Sequence, residues 1–259
     1  MKFYVNNPAF LQMGGNKPMA HITRFVLTEN SGGQVQLSAN GSVVVEYMQD
    51  GEIVRDTYSA LSDTYVPIPA GIEATIYGSV TVINNDEVDN LFSSLDVSKN
   101  QALTSLNCRV CTGLTSLDLS ENPALTFLNC SSCTGLTSLD LSKNTALTDL
   151  YCNDCTGLTS LDFSKNPALT DLNCSSCMGL TSLDISKNAA LIYLYCNECT
   201  GLTSINGIAI NNEVSTTIAT AITNATSVDG TVTLRQGDEF NQTIIDAAME
   251  KGWDVQYAD

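Results

Sequence analysis

The chain has 259 residues, with 28 acidic against 11 basic side chains, a formal net charge of −17 and a pI near 4.1. Phosphate contacts require clustered Lys and Arg; no basic run occurs, so the composition argues against nucleic acid and against an anionic membrane surface as partners. No apolar stretch has the ~20 residues of a helical membrane span, so membrane insertion is not expected, and residues 1–15 lack the basic head and apolar stretch of a signal peptide.

Residues 1–79 contain no Cys and no repeat. Short β-branched runs at 21–27, 34–37, 42–47, 52–58, 65–69 and 74–77 alternate as strands do, and Asp50-Gly51 is a tight-hairpin signal. These runs predict a β-sandwich-like domain over 1–79. Residues 80–102 resemble a repeat without its cysteines, with Phe92, Leu95, Val97 and Asn100 in phase, and are expected to cap the array that follows.

From Leu103 a 22-residue unit is written five times, starting at Leu103, Leu125, Leu147, Leu169 and Leu191, each close to L-T-x-L-x-C-x-x-C-T-G-L-T-S-L-D-L-S-K-N-x-A. A period of this length predicts a solenoid in which one coil cannot bury its own apolar face and stacking supplies the core. Within a coil, Leu147, Leu150, Cys152 and Cys155 and then Leu158, Leu161, Phe163 and Asn166 should point inward. The alternation at Leu150/Cys152 and at Leu161/Phe163 predicts two short strands per coil. Thr156-Gly157 and Asn166-Pro167 should form the corners, glycine for its tolerance of unusual backbone angles.

This L-x-x-L-x-(L/C)-x-x-(N/C) phrasing resembles the leucine-rich repeat, in the cysteine-containing subtype of internalin J-like adhesins and gut Bacteroidetes surface proteins. The chain departs from that pattern by a second Cys per copy, such as Cys155. The resemblance implies an α/β-type leucine-rich-repeat solenoid made mostly of β coils, spanning 80–212, that recognises other macromolecules. It also implies a secreted or cell-surface location if a leader was trimmed.

Past Gly207 the repeat dissolves. Val214, Ile218 and Ile222 form a helical stripe within 213–224, residues 230–235 alternate as a strand, and Asp238 is a suitable N-cap for a helix over 240–251. Gly252 stops that helix and 253–257 reads as a last strand, making 213–259 a small α/β C-terminal cap.

All ten Cys form five C-x-x-C pairs inside the repeats. Cys111 and Cys130 have zinc-site spacing, with 18 residues between them. Pairs that recur in register, however, stack as two ladders and do not converge on one point. Five equivalent rungs also cannot pair two by two as disulfides. The expectation is buried, reduced thiols with no metal and no cofactor.

The Asn column (Asn100, Asn122, Asn144, Asn166, Asn188) should serve backbone groups at the corners. The Asp column (Asp96, Asp118, Asp140, Asp162, Asp184) could line up calcium ligands. The simpler reading is a solvated row bonded to Ser and Thr and softened by Lys99, Lys143, Lys165 and Lys187.

The T-S-x-D-x-S face barely changes between copies, whereas the outward positions of the Cys half vary. There Phe127, Asp149, Tyr151, Asp171, Tyr193 and Tyr195 form the candidate ligand-binding set, because exposed aromatics provide contact area at low entropic cost. The alternative is that these rings stabilise the sheet by stacking across strands. For catalysis there is one histidine, His21, and no P-loop, G-x-G-x-x-G, H-E-x-x-H or G-x-S-x-G. The chain therefore reads as a non-enzymatic module binding a protein or glycan, or else as a structural or host-binding piece of a phage or cell-surface assembly.

Overall fold

The computed structural model describes residues 22–27, 34–59, 61–85, 92–207, 212–227, 229–235 and 241–258. His21, the Asp238 cap and the side chain of Val214 lie outside the described residues.

The N-terminal strands are β1 (Ile22–Leu27), β2 (Gln34–Gln49), β3 (Glu52–Tyr58), β4 (Leu61–Pro67), β5 (Glu73–Asn84) and β6 (Phe92–Lys99). Expected strands 34–37 and 42–47 are one element: β2 runs on and changes partners, pairing with β4 through its first half and with β3 through its second. β5 lies along β2 antiparallel, with a register break between Asn40 and Val44. Gly78 sits opposite that break at φ 134°, where a Cβ would lie 2.8 Å from Val43 Cγ1. Only glycine fits such a crossing. The sandwich-like region is therefore one bent, hydrogen-bonded sheet around Val35, Leu37, Val43, Val45, Val66 and Ile76, all buried.

β5 also runs straight through the expected 79/80 boundary. Its first half pairs antiparallel with β1, while Val82 and Ile83 pair in parallel with Ser105 and Leu106 of β7 (Ser105–Asn107), the first solenoid strand. Residues 92–99 pair antiparallel with β1 and also offer Val97 O to the next coil's Asn122. Phe25 and Phe92 meet edge to face at 5.5 Å across this join.

The coils then stack through β8 (Phe127–Asn129), β9 (Asp149–Tyr151), β10 (Asp171–Asn173) and β12 (Tyr193–Tyr195), all parallel and in register. Leu106, Leu128, Leu150, Leu172 and Leu194 form one inward column, each fully buried. The second strand expected in each coil is absent at 116–118, 138–140 and 160–162 and present only as β11 (Ser182–Asp184) and β13 (Ser204–Asn206). Alternating burial persists in the earlier coils, but open grooves separate them on this side, and a ladder needs neighbouring strands at about 4.8 Å. The last coils close theirs because β14 (Thr231–Arg235) and β15 (Asp254–Ala258) extend the sheet in the order β11-β13-β14-β15.

Corner chemistry also differs from expectation. Positive φ falls on Val110, Ser132, Asp154, Ser176 and Glu198, near 58° in every coil, and not on the T-G glycines. The amides of Val110, Ser132, Asp154 and Ser176 each donate to the next coil at 2.7–2.9 Å, which offsets the left-handed strain. Gly157 serves close approach instead: a Cβ there would lie 2.6 Å from Leu136 O of the preceding coil.

The end of the array meets α1 (Asn212–Asn224) and α2 (Asn241–Lys251), which bury Ile218, Ile222, Ile244 and Ala248. Trp253 is buried beside Gly230, and its indole N–H donates to Ser227 O at 2.9 Å. One continuous apolar core runs from Phe25 to Trp253.

Candidate recognition face

Two ladders of side-chain hydrogen bonds tie neighbouring coils together beside the strands. Thr104, Thr126, Thr148 and Thr170 each donate a hydroxyl to the threonine carbonyl one coil earlier (Thr81 for the first) at 3.0–3.2 Å. The second Cys of the last four pairs does the same from inside: Cys133, Cys155, Cys177 and Cys199 donate their thiols to the carbonyls of Cys108, Cys130, Cys152 and Cys174 at 3.0–3.1 Å. All ten cysteines are buried free thiols. Hydrogen bonding to the next coil's thiol and burial push Cys108, Cys130, Cys152 and Cys174 up, and burial does so for Cys196. The second cysteine is thus a donor as well as a hydrophobe, a role signalled in the sequence only by its fixed spacing from the first.

At the opposite corner Asn100 Nδ2 donates to Val80 O at 2.9 Å, and the next four span two carbonyls each: Asn122 Nδ2 donates to Val97 O at 3.0 Å and Asn100 O at 2.7 Å, and Asn144, Asn166 and Asn188 repeat this.

The outward columns are 105-127-149-171-193 and 107-129-151-173-195. Phe127, Asp149, Tyr151 and Asp171 are half-buried, while Tyr193 and Tyr195 are 41% and 42% exposed. Phe127 and Tyr151 stack at 5.7 Å with a 43° tilt, so that pair does support the sheet, as cross-strand aromatics can. Asp149 and Asp171 sit directly opposite one another on β9 and β10. Burial, then Asp171 and Asp149, push the Tyr151 phenol up. Ile192 replaces the ladder threonine in the last coil and adds an apolar side chain, 50% exposed, next to Tyr193. The sequence reading missed it, although the break in the threonine column marks it. The candidate set therefore lies on one continuous parallel sheet, its carboxylates central and its most exposed rings at the C-terminal end.

On the uniform face the aspartates close local turns. Asp118 Oδ1 accepts from the Ser120 amide at 3.0 Å, and Asp140, Asp162 and Asp184 accept likewise from Ser142, Ser164 and Ser186. Hydrogen bonds from serine hold Asp118, Asp140 and Asp162 below the usual carboxylate range, with help from Lys143 and Lys165 for the last two. Between coils this side has open grooves of about 250 and 170 Å³, lined by Ser138, Asp140, Ser160 and Asp162 and by Ser116, Asp118, Ser138 and Asp140.

No protein-family model matches the chain, and no curated protein does. Among solved structures it is similar to a chain described as the functional domain of InlJ from Listeria monocytogenes, which includes a cysteine ladder. The identity is 27% over 63% of this chain, the TM-score is 0.30, and the match spans 46% of that chain, less than half its length.

Proposed function

We propose that the chain is a non-enzymatic recognition or adhesion module of the cysteine-containing leucine-rich-repeat type, displayed at a cell surface or secreted. It binds a protein or glycan through Phe127, Asp149, Tyr151, Asp171, Tyr193 and Tyr195. One observation carries this reading: the in-register strands gather the side chains that vary between copies onto one outward face, with two tyrosines more than two-fifths exposed at one end of it. Aromatic residues so placed supply binding energy at low entropic cost.

The test is a protein and glycan array screen followed by two triple variants. Replacing Tyr151, Tyr193 and Tyr195 by Ala should abolish capture of whatever the screen returns. Replacing the exposed Ser116, Ser138 and Ser160 of the uniform face should leave it intact. Loss on the serine side alone would move the functional surface to the uniform face. A purely structural role for the rings is favoured by one contact, the Phe127–Tyr151 stack, and it would show as lost stability without lost binding.

A further inference from the structure

The geometry points to a cationic polypeptide segment, an extended stretch of a partner protein carrying Arg or Lys, as the occupant of the strand face; this rests on the recognition reading above. The argument is charge segregation. Lys143, Lys165 and Lys187 are exposed at the corners of the uniform face, three residues after Asp140, Asp162 and Asp184. The Cys halves of the last four coils, residues 125–135, 147–157, 169–179 and 191–201, carry Asp149, Asp154, Asp171 and Glu198 and no Lys, Arg or His. Thus three lysines stand near the carboxylates of the uniform face, whereas the strand face of these four coils has no basic side chain beside its own, Arg109 lying in the first coil.

Asp149 and Asp171 stand directly opposite on adjacent strands, an arrangement that costs stability. Each takes a hydroxyl from its own coil, Thr148 at 2.6 Å and Thr170 at 2.9 Å, and neither pairs with a basic side chain among the described residues. Tyr151 lies two positions along from Asp149, and Tyr193 and Tyr195 lie on the strand beyond Asp171. A guanidinium between the two carboxylates relieves their repulsion, donates charge-assisted hydrogen bonds to both and packs on a tyrosine face. An anionic glycan would be repelled here, and a neutral one leaves the opposed charges uncompensated. From β9 to β12 is two strand spacings, about 10 Å, the length of roughly three extended residues.

The probe is a fluorescent Arg-Gly repeat decapeptide titrated into the full chain, with a Glu-Gly decapeptide and a neutral glucan oligosaccharide as comparisons. The Arg-Gly peptide should bind and the others should not. Asp149→Asn with Asp171→Asn should weaken binding at least about tenfold, whereas Asp140→Asn with Asp162→Asn, the same change in net charge, should weaken it less than about twofold. The first pair should also leave the melting temperature unchanged or raised, since it removes a like-charge contact. Equal losses from the two pairs would mean attraction to the overall charge of −17 and would overturn the inference. If a neutral or acidic ligand from the screen needs Tyr151, Tyr193 and Tyr195 while the Arg-Gly peptide does not bind, the recognition face stands and its cationic partner falls. If no ligand responds to those tyrosines, both fall.

Discussion

At the scale of single residues, the thiols are the most consequential groups. All ten are buried, so native protein should consume few or no equivalents of a thiol reagent and denatured protein all ten. Their acidity sets a pH dependence. Cys108, Cys130, Cys152 and Cys174 are held well above the ordinary thiol value of 9.0 in the fold. The folded state therefore keeps its protons where the unfolded chain releases them. For these thiols stability is full below about pH 8.5 and falls as pH climbs past it; Cys133 and Cys199, lowered by their hydrogen bonds with Cys108 and Cys174, act in the opposite sense, so the fall rests on Cys130, Cys152 and Cys196. The urea midpoint should drop between about pH 8 and about pH 10, and Cys152→Ala should make that drop shallower. Two backbone positions have opposite signs. Val110 is β-branched at φ 58°, so Val110→Gly should stabilise by about 1 kcal/mol. Gly157→Ala should destabilise by about 1–3 kcal/mol, because the new methyl meets the rigid carbonyl of Leu136. Chemical denaturation of the two variants checks both.

At the scale of the coil, the inward column and the ladders beside it divide the energy. Leu150 is fully buried between Leu128 and Leu172, so Leu150→Ala should cost about 2–5 kcal/mol. Thr148 points outward, and from sequence its truncation would be close to neutral. In the fold its hydroxyl bonds to Thr126 O at 3.0 Å and to Asp149 Oδ2 at 2.6 Å, which raises the expected cost of Thr148→Ala to about 0.5–1.5 kcal/mol. Equal losses at 148 and 150 in urea unfolding would contradict this strand phase. The inward phase was legible in the 22-residue spacing because in-register copies place equivalent residues in columns. The threonine and thiol ladders were not, since their acceptors are carbonyls one coil away.

At the scale of the whole molecule, β5 and β1 join the N-terminal sheet to the solenoid through shared hydrogen bonds and the Phe25–Phe92 contact. A fragment beginning at residue 80 loses the strand paired with β6 and uncovers Phe92. It should melt lower than the full chain or aggregate, as calorimetry and light scattering would show. A fragment as stable as the full chain would mean the two regions are independent. The same continuity carries the parallel sheet in register from β7 to β12, and because Tyr193 and Tyr195 are exposed on it, their substitution under the proposed reading should change binding while leaving the melting temperature within a few degrees.

The sequence by itself determined the repeat, its stacking into columns, the burial of the cysteines and the grouping of Phe127, Asp149, Tyr151, Asp171, Tyr193 and Tyr195 on one side. Each follows from short-range spacing repeated in phase. Only the tertiary structure decided that β5 belongs to both halves, that the second half-coil is a strand only where β14 extends its sheet, and that Asp154 and its equivalents take positive φ while Gly157 provides clearance. It alone set Asp149 opposite Asp171 across adjacent strands. Those outcomes depend on which backbone groups and charges meet across coils, and a hydrogen-bond partner twenty or more residues away leaves no mark in local periodicity.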